Sequence, residues 1–137
     1  MQLTITPSTW RVLGLSIAAS YTGLGLFEIL RPHRASAEFF GLGTKTTATT
    51  TENEGETEAV AVMGPLLGVR DLSIAAAMFM FAWEGKWREV GTVIVAGTIL
   101  CAADCFIVWR RMGARLGAGF VLGAASWTVI GGVLYYS

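Results

Sequence analysis

Four stretches of the chain are long runs of mainly apolar residues, separated by two short polar breaks and one long one. They cover residues 10–30 (WRVLGLSIAASYTGLGLFEIL), 60–83 (VAVMGPLLGVRDLSIAAAMFMFAW), 90–109 (VGTVIVAGTILCAADCFIVW) and 116–136 (LGAGFVLGAASWTVIGGVLYY). Each run has about 20 residues or more, which at a rise of about 1.5 Å per residue crosses a hydrocarbon layer of about 30 Å. Runs of this length do not alternate as strands do, and in lipid only a helix or a closed barrel satisfies its own backbone groups. The pattern predicts an all-α integral membrane protein, a single domain over residues 1–137 folded as a four-helix transmembrane bundle.

The first run is expected to be a span and not a cleaved leader. No basic segment precedes it, and its apolar core continues past the small residues at 18–20. Trp10, Trp83, Trp87, Trp109, Tyr135 and Tyr136 fall near the ends of the runs, where interfacial anchors belong. Gly64/Gly68, Gly113/Gly117 and Gly119/Gly123 repeat at a spacing of four, which lets helices approach closely in lipid, and are read as packing positions.

The connections after the second and third runs are tight, whereas the first, residues 31–59, is long. Its start (RPHRASAEFFGL) mixes basic residues with Phe39, Phe40 and Leu42 and fits a short helix lying at the interface. Its remainder (TKTTATTTENEGETE) fits a solvated loop or an extension of the second span. Arg31, Arg34, Lys45, Arg110, Arg111 and Arg115 share one side of the membrane, against Arg11, Lys86 and Arg88 on the other. That excess is expected to hold the first and third connections in the cytoplasm and both termini in the lumen, with the endoplasmic reticulum as the membrane.

Composition agrees with the pattern. Of 137 residues 53% are hydrophobic and 15% charged, and the mean hydropathy is +0.57, whereas soluble domains are about one-quarter charged. Ten basic residues balance ten acidic ones, so no basic field exists for nucleic acid. The expected partners are membrane lipid and a lipophilic small molecule, and a homodimer is compatible with the layout. Cys101 and Cys105 lie one helical turn apart, which is neither a redox CxxC pair nor a zinc pattern, and read as small buried apolar residues. His33, the one histidine, falls just outside the first run and reads as a surface residue. HExxH, P-loop, GxGxxG and GxSxG motifs are absent, and nothing signals a metal, haem or flavin, so no cofactor is expected.

The informative residues are the ionisable ones inside the runs. The chain has two aspartates, Asp71 and Asp104, and both fall within spans, as do Arg70 and, near an end, Glu28. Each Asp or Arg facing lipid near a helix centre costs about 2.5–3.5 kcal/mol, so these groups are expected to face one another or a wet cavity. Depths counted from the rise per residue bring Tyr21 level with Asp71, and Ser126, Trp127 and Thr128 to a similar height. Neighbouring residues diverge by about 100° on a helix, so Arg70 is expected to pair with Asp104 or Glu28 in preference to Asp71. Its planar fork can hold two carboxylates at once. Three acids against one Arg leave a carboxyl without a counter-charge. Such a group suits acid–base chemistry, in which one aspartate takes a proton and the other, kept protonated, donates one to a leaving oxygen. A buried ionic latch that fixes helix register is the structural alternative.

With GVRD at residues 68–71 and an acid within AADCFIVW at residues 102–109, the layout resembles a fungal family of small four-span membrane proteins, mostly of unknown function. It is similar to the membrane epoxide hydrolases of aurovertin- and citreoviridin-type polyketide pathways. That resemblance implies epoxide opening by hydrolysis or cyclisation in secondary metabolite biosynthesis, with catalysis on Arg70, Asp71 and Asp104. Depth and facing add Glu28 and Tyr21 to the catalytic set, and Trp127, Phe27 and Met63 are expected to shape an apolar substrate pocket. A small ion-coupled transporter and a non-catalytic membrane assembly protein are the competing expectations.

Overall fold

In a computed structural model that describes residues 6–40 and 50–136, the chain is built of helices: α1 (Pro7–Leu30), α2 (Pro32–Phe40), α3 (Thr50–Trp83), α4 (Trp87–Met112) and α5 (Ala114–Tyr136). Four of them are long and apolar enough to cross a membrane, over Pro7–Leu30, Ala59–Trp83, Trp87–Arg110 and Gly117–Tyr136. The protein is a four-helix transmembrane bundle, and the expected fold class holds. The short helix expected after the first span is α2, and the second span extends back to Thr50. Lys45 and Leu42 lie outside the described residues.

Local chemistry sets the helix ends. Pro7 opens α1, where its missing N–H costs nothing. The α3–α4 turn is a Schellman motif: Lys86 N–H donates to the Phe81 carbonyl at 2.8 Å and Gly85 N–H to that of Ala82 at 3.0 Å. Gly85 holds φ +74° there, a left-handed backbone that glycine adopts without strain. A single glycine, Gly113 at φ +91°, separates α4 from α5. Several hydroxyls within the spans are satisfied by their own helix; Ser73, Ser126 and Thr128 donate to the carbonyls of Val69, Leu122 and Ala124 at 2.8–2.9 Å. Ser126 and Thr128 are exposed, and of the three α5 residues expected at the depth of Asp71 only Trp127 lines the interior.

The helices pair as two antiparallel hairpins, α1 against α3 and α4 against α5, which meet less extensively across a seam. Each hairpin is zipped by glycine. A Cβ built on Gly25 would lie 2.6 Å from the Gly68 carbonyl oxygen, and one on Gly91 would lie 2.6 Å from that of Gly131, so these backbones are in direct contact. The seam is filled at one end by Ile17, Ala18, Met78, Ile94 and Leu134. Polarity is inverted relative to a soluble protein: Leu66, Met80, Ile99, Phe106 and Leu122 are exposed, while Glu28 and Asp71 are buried. At the end opposite α2, Arg11 lies over the Trp87 ring at 5.2 Å and Arg88 over Tyr135 at 4.7 Å, an interfacial belt of cation–π pairs.

Candidate functional site

On the α2 side of this core the hairpins part and enclose a cavity of about 520 Å³. Tyr21 and Leu24 of α1, Arg70 and Asp71 of α3, and Leu100, Cys101, Asp104 and Cys105 of α4 form three of its walls. Gly119, Phe120, Gly123, Ala124 and Trp127 of α5 form the fourth. Among the described residues the backbones of α3 and α5 do not approach each other closely. Close approach of α1 and α5 occurs further along, where the Tyr21 and Trp127 rings pack at 5.1 Å and Gly14 meets Leu134.

The ionisable groups converge on this cavity. Arg70 Nε donates to Asp71 Oδ1 at 2.9 Å, and its terminal nitrogen reaches Asp104 Oδ2, on the other hairpin, at 3.6 Å. The guanidinium thus bridges two carboxylates, as its fork geometry allows. The expectation that Arg70 would avoid Asp71 is wrong. Adjacent Cα–Cβ bonds do diverge, but the three-methylene stem of Arg70 is long enough to fold back around the helix and bring Nε to its neighbour. Helix direction also favours convergence, because side chains lean toward the N-terminus of their helix. In the antiparallel bundle Asp71 and Arg70 on α3 lean toward the α2 end, while Asp104 on α4 and Glu28 on α1 lean away from it, toward them.

Glu28 does not line the cavity. It is 7% exposed, and its Oε2 is buried with no hydrogen-bond partner among the described residues. Tyr21, 4% exposed, lines the cavity, but its hydroxyl meets Cys101 Sγ at 3.7 Å. Of the three residues expected to shape the pocket, Trp127 does so. Met63 is 54% exposed on the outer face of α3, and neither it nor the half-buried Phe27 reaches the cavity. An apolar residue on a span can face lipid, a neighbouring helix or the cavity, and hydrophobicity does not tell these apart. His33 is exposed on α2, as expected.

Sequence reasoning missed several lining residues. Cys101 and Cys105, read as plain core, border the cavity beside Asp104. Gly119 and Gly123, read as packing positions, pack against nothing: a Cβ on either would meet no atom within 4 Å. Their role is to leave space. The signal was available in helical spacing, since positions three or four residues before Trp127 and before Asp104 share their faces. Gly64, Gly68 and Gly117 do pack closely, against Pro32, Ile29 and Trp109.

The family described as Domain of unknown function (DUF4267) matches residues 18–134. The chain belongs to the DUF4267 family. No curated protein and no solved structure matches it. Every residue of the ionisable cluster lies within the DUF4267 region, but nothing in the comparisons links that region to fungal epoxide hydrolases. For this DUF4267 chain, function must be argued from the site.

Proposed function

We propose that the protein is a membrane-embedded acid–base enzyme that opens epoxides of a lipophilic natural-product substrate, by attack of water or of an internal hydroxyl. The observation that carries this reading is Arg70, held between Asp71 and Asp104 on the wall of an otherwise apolar cavity. In a low-dielectric site one guanidinium neutralises one carboxylate. The short bond at 2.9 Å, with the Asp71 side chain 5% exposed, supports Asp71 as the ionised partner and hence as the base. Asp104, at 3.6 Å and more open to the cavity, carries the proton and is the acid.

Asp71 takes a proton from the attacking water or hydroxyl as its oxygen bonds to an epoxide carbon. The epoxide C–O bond breaks, and the freed oxygen takes the proton of Asp104. Arg70 orients both carboxyl groups and keeps them in opposite protonation states. Tyr21 and Trp127 close the inner end of the cavity, and the gap between Leu24 and the glycines of α5 receives the apolar remainder of the substrate. The unequal distribution of Lys and Arg supports a cytoplasmic site with luminal termini in the endoplasmic reticulum.

The test is turnover by purified protein in detergent micelles with long-chain and polyene epoxides, read by mass spectrometry in heavy-oxygen water. Hydrolysis puts one heavy oxygen into the diol, whereas cyclisation gives an isomer of the substrate with none. Substrate-driven proton movement in proteoliposomes, with no product formed, would replace this reading by a carrier.

A further inference from the structure

The cavity is not walled on every side. Along one edge α5 is close-packed on α4, where a Cβ on Gly117 would strike Trp109 and one on Gly131 would strike Ile94. Along its other edge α5 meets α1 where Tyr21 packs on Trp127 and where Gly14 meets Leu134. One turn nearer to α2 the two helices stand apart. A Cβ on Gly123 or Gly119 would meet no atom within 4 Å, so the Leu24 side chain does not reach across to either. Exposure follows the same line. Tyr21, Asp71 and Cys105 are buried, whereas Gly119, Phe120 and Gly123, which border the same cavity, are exposed. The cavity therefore opens sideways, between α1 and α5.

The height of the opening decides what it faces. Leu24 and Gly123 each lie six residues inside their spans, Pro7–Leu30 and Gly117–Tyr136, which is about 9 Å from the α2-side end. Acyl chains fill the membrane at that height. Leu24, Leu100, Phe120 and Ala124 give the cavity an apolar lining, and its 520 Å³ falls in the range of about 300–1,000 Å³ usual for small-ligand sites. Charge narrows the ligand further. Among the described lining residues Arg70 is the one cation, and Asp71 and Asp104 already lie against it. No positive charge is left over for a carboxylate, sulfonate or phosphate. A hydroxyl, ether or epoxide oxygen asks for no counter-charge, and the guanidinium has more N–H groups than its two contacts use.

We propose that the cavity binds a neutral long-chain amphiphile that enters from the bilayer between α1 and α5. Its chain lies along Leu24 and Phe120, and its hydroxyl or ether oxygen reaches Arg70 and Asp104. This deepens the epoxide-opening reading by naming the substrate class and its door, but binding itself needs no reaction.

The test uses wild-type protein in phospholipid nanodiscs and an unreactive probe, a long-chain alcohol with a photoactivated diazirine in its chain. Peptide mass spectrometry after irradiation should find the label on Leu24, Phe120 and Trp127, and excess plain alcohol should remove it. The alkyl sulfonate of equal length, charged at any working pH, should compete about a hundredfold less well, because a buried charge without a partner is costly. Label confined to outward residues such as Ile99 and Leu122 would show annular lipid alone and overturn the site; equal competition by the sulfonate would overturn the ligand class. The route is read in a chain with Cys101→Ala and Cys105→Ala, by joining Leu24→Cys to Phe120→Cys with a short linker that reductant cleaves. The tether should abolish labelling of Trp127 and its cleavage should restore it. Labelling that persists through the tether would mean entry from the aqueous end and overturn the lateral door. Binding without epoxide turnover would keep this site and discard the reaction, whereas turnover with label on outward residues alone would keep the reaction and discard this site.

Discussion

Asp71→Asn and Asp104→Asn should destroy the same activity while differing in what they do to the fold. Asp71 is bonded to Arg70 at 2.9 Å with its side chain 5% exposed, whereas Asp104 lies at 3.6 Å and 29% exposed. Removing one partner of a fully buried pair costs about 3–5 kcal/mol, and solvated pairs contribute about 0–1 kcal/mol. The Arg70 side chain is itself 29% exposed and keeps Asp104 as a second partner, so the Asp71→Asn penalty falls below the buried range, at about 2 kcal/mol. Asp104→Asn should cost less than about 1 kcal/mol. With roughly 4 °C per kcal/mol for a chain of this size, melting in detergent should fall by about 8 °C for the first and under about 4 °C for the second. Epoxide turnover should fall about 10²- to 10⁴-fold in both, or about 3–5 kcal/mol in barrier height. Thermal unfolding and product formation on the same preparations check both halves. A folded Asp104→Asn protein with near-normal turnover would refute the assignment of the acid. A larger melting shift for Asp104→Asn than for Asp71→Asn would refute the reading of the two bonds.

Three further outcomes follow from the geometry. Gly123→Phe places a ring where a Cβ meets nothing within 4 Å; melting should be unchanged while kcat/KM for long-chain epoxides drops and that for small ones is retained, and an equal loss for both would show that Gly123 does not border the substrate's tail. Gly25→Leu drives a side chain against the Gly68 carbonyl and Leu72, where overpacking costs about 1–3 kcal/mol; a lower melting temperature together with lost turnover is expected, and wild-type behaviour would deny the close α1–α3 crossing. Arg70→Lys keeps the charge but not the fork that spans two carboxylates; turnover should fall about a hundredfold, and full activity would mean that bridging is irrelevant.

The spans could be read from the sequence because length and hydropathy are one-dimensional properties, and lipid leaves the backbone few alternatives. Convergence of Arg70, Asp71 and Asp104 was legible for a related reason: groups that cannot face lipid must find one another. What failed was rotation about the helix axis. Met63 and Phe27 do not line the cavity, and Gly119 and Gly123 border empty space where their spacing predicts contacts. The Arg70–Asp71 bond escapes a reading in which side chains are rigid spokes. The reach of Arg70 comes from stem torsions, which spacing along a chain does not encode.

The glycine-zipped hairpins have a consequence for how the molecule comes into being. Arg70 and Asp71 belong to one leaf and Asp104 to the other, and the leaves are joined at the exposed, left-handed Gly85. Each leaf can assemble during insertion, the Arg70–Asp71 pair closing within its own leaf while Asp104 waits on the other. Mating of the leaves then brings the second aspartate to the guanidinium in a single event, so no half-made protein holds both carboxyl groups on one arginine within the bilayer.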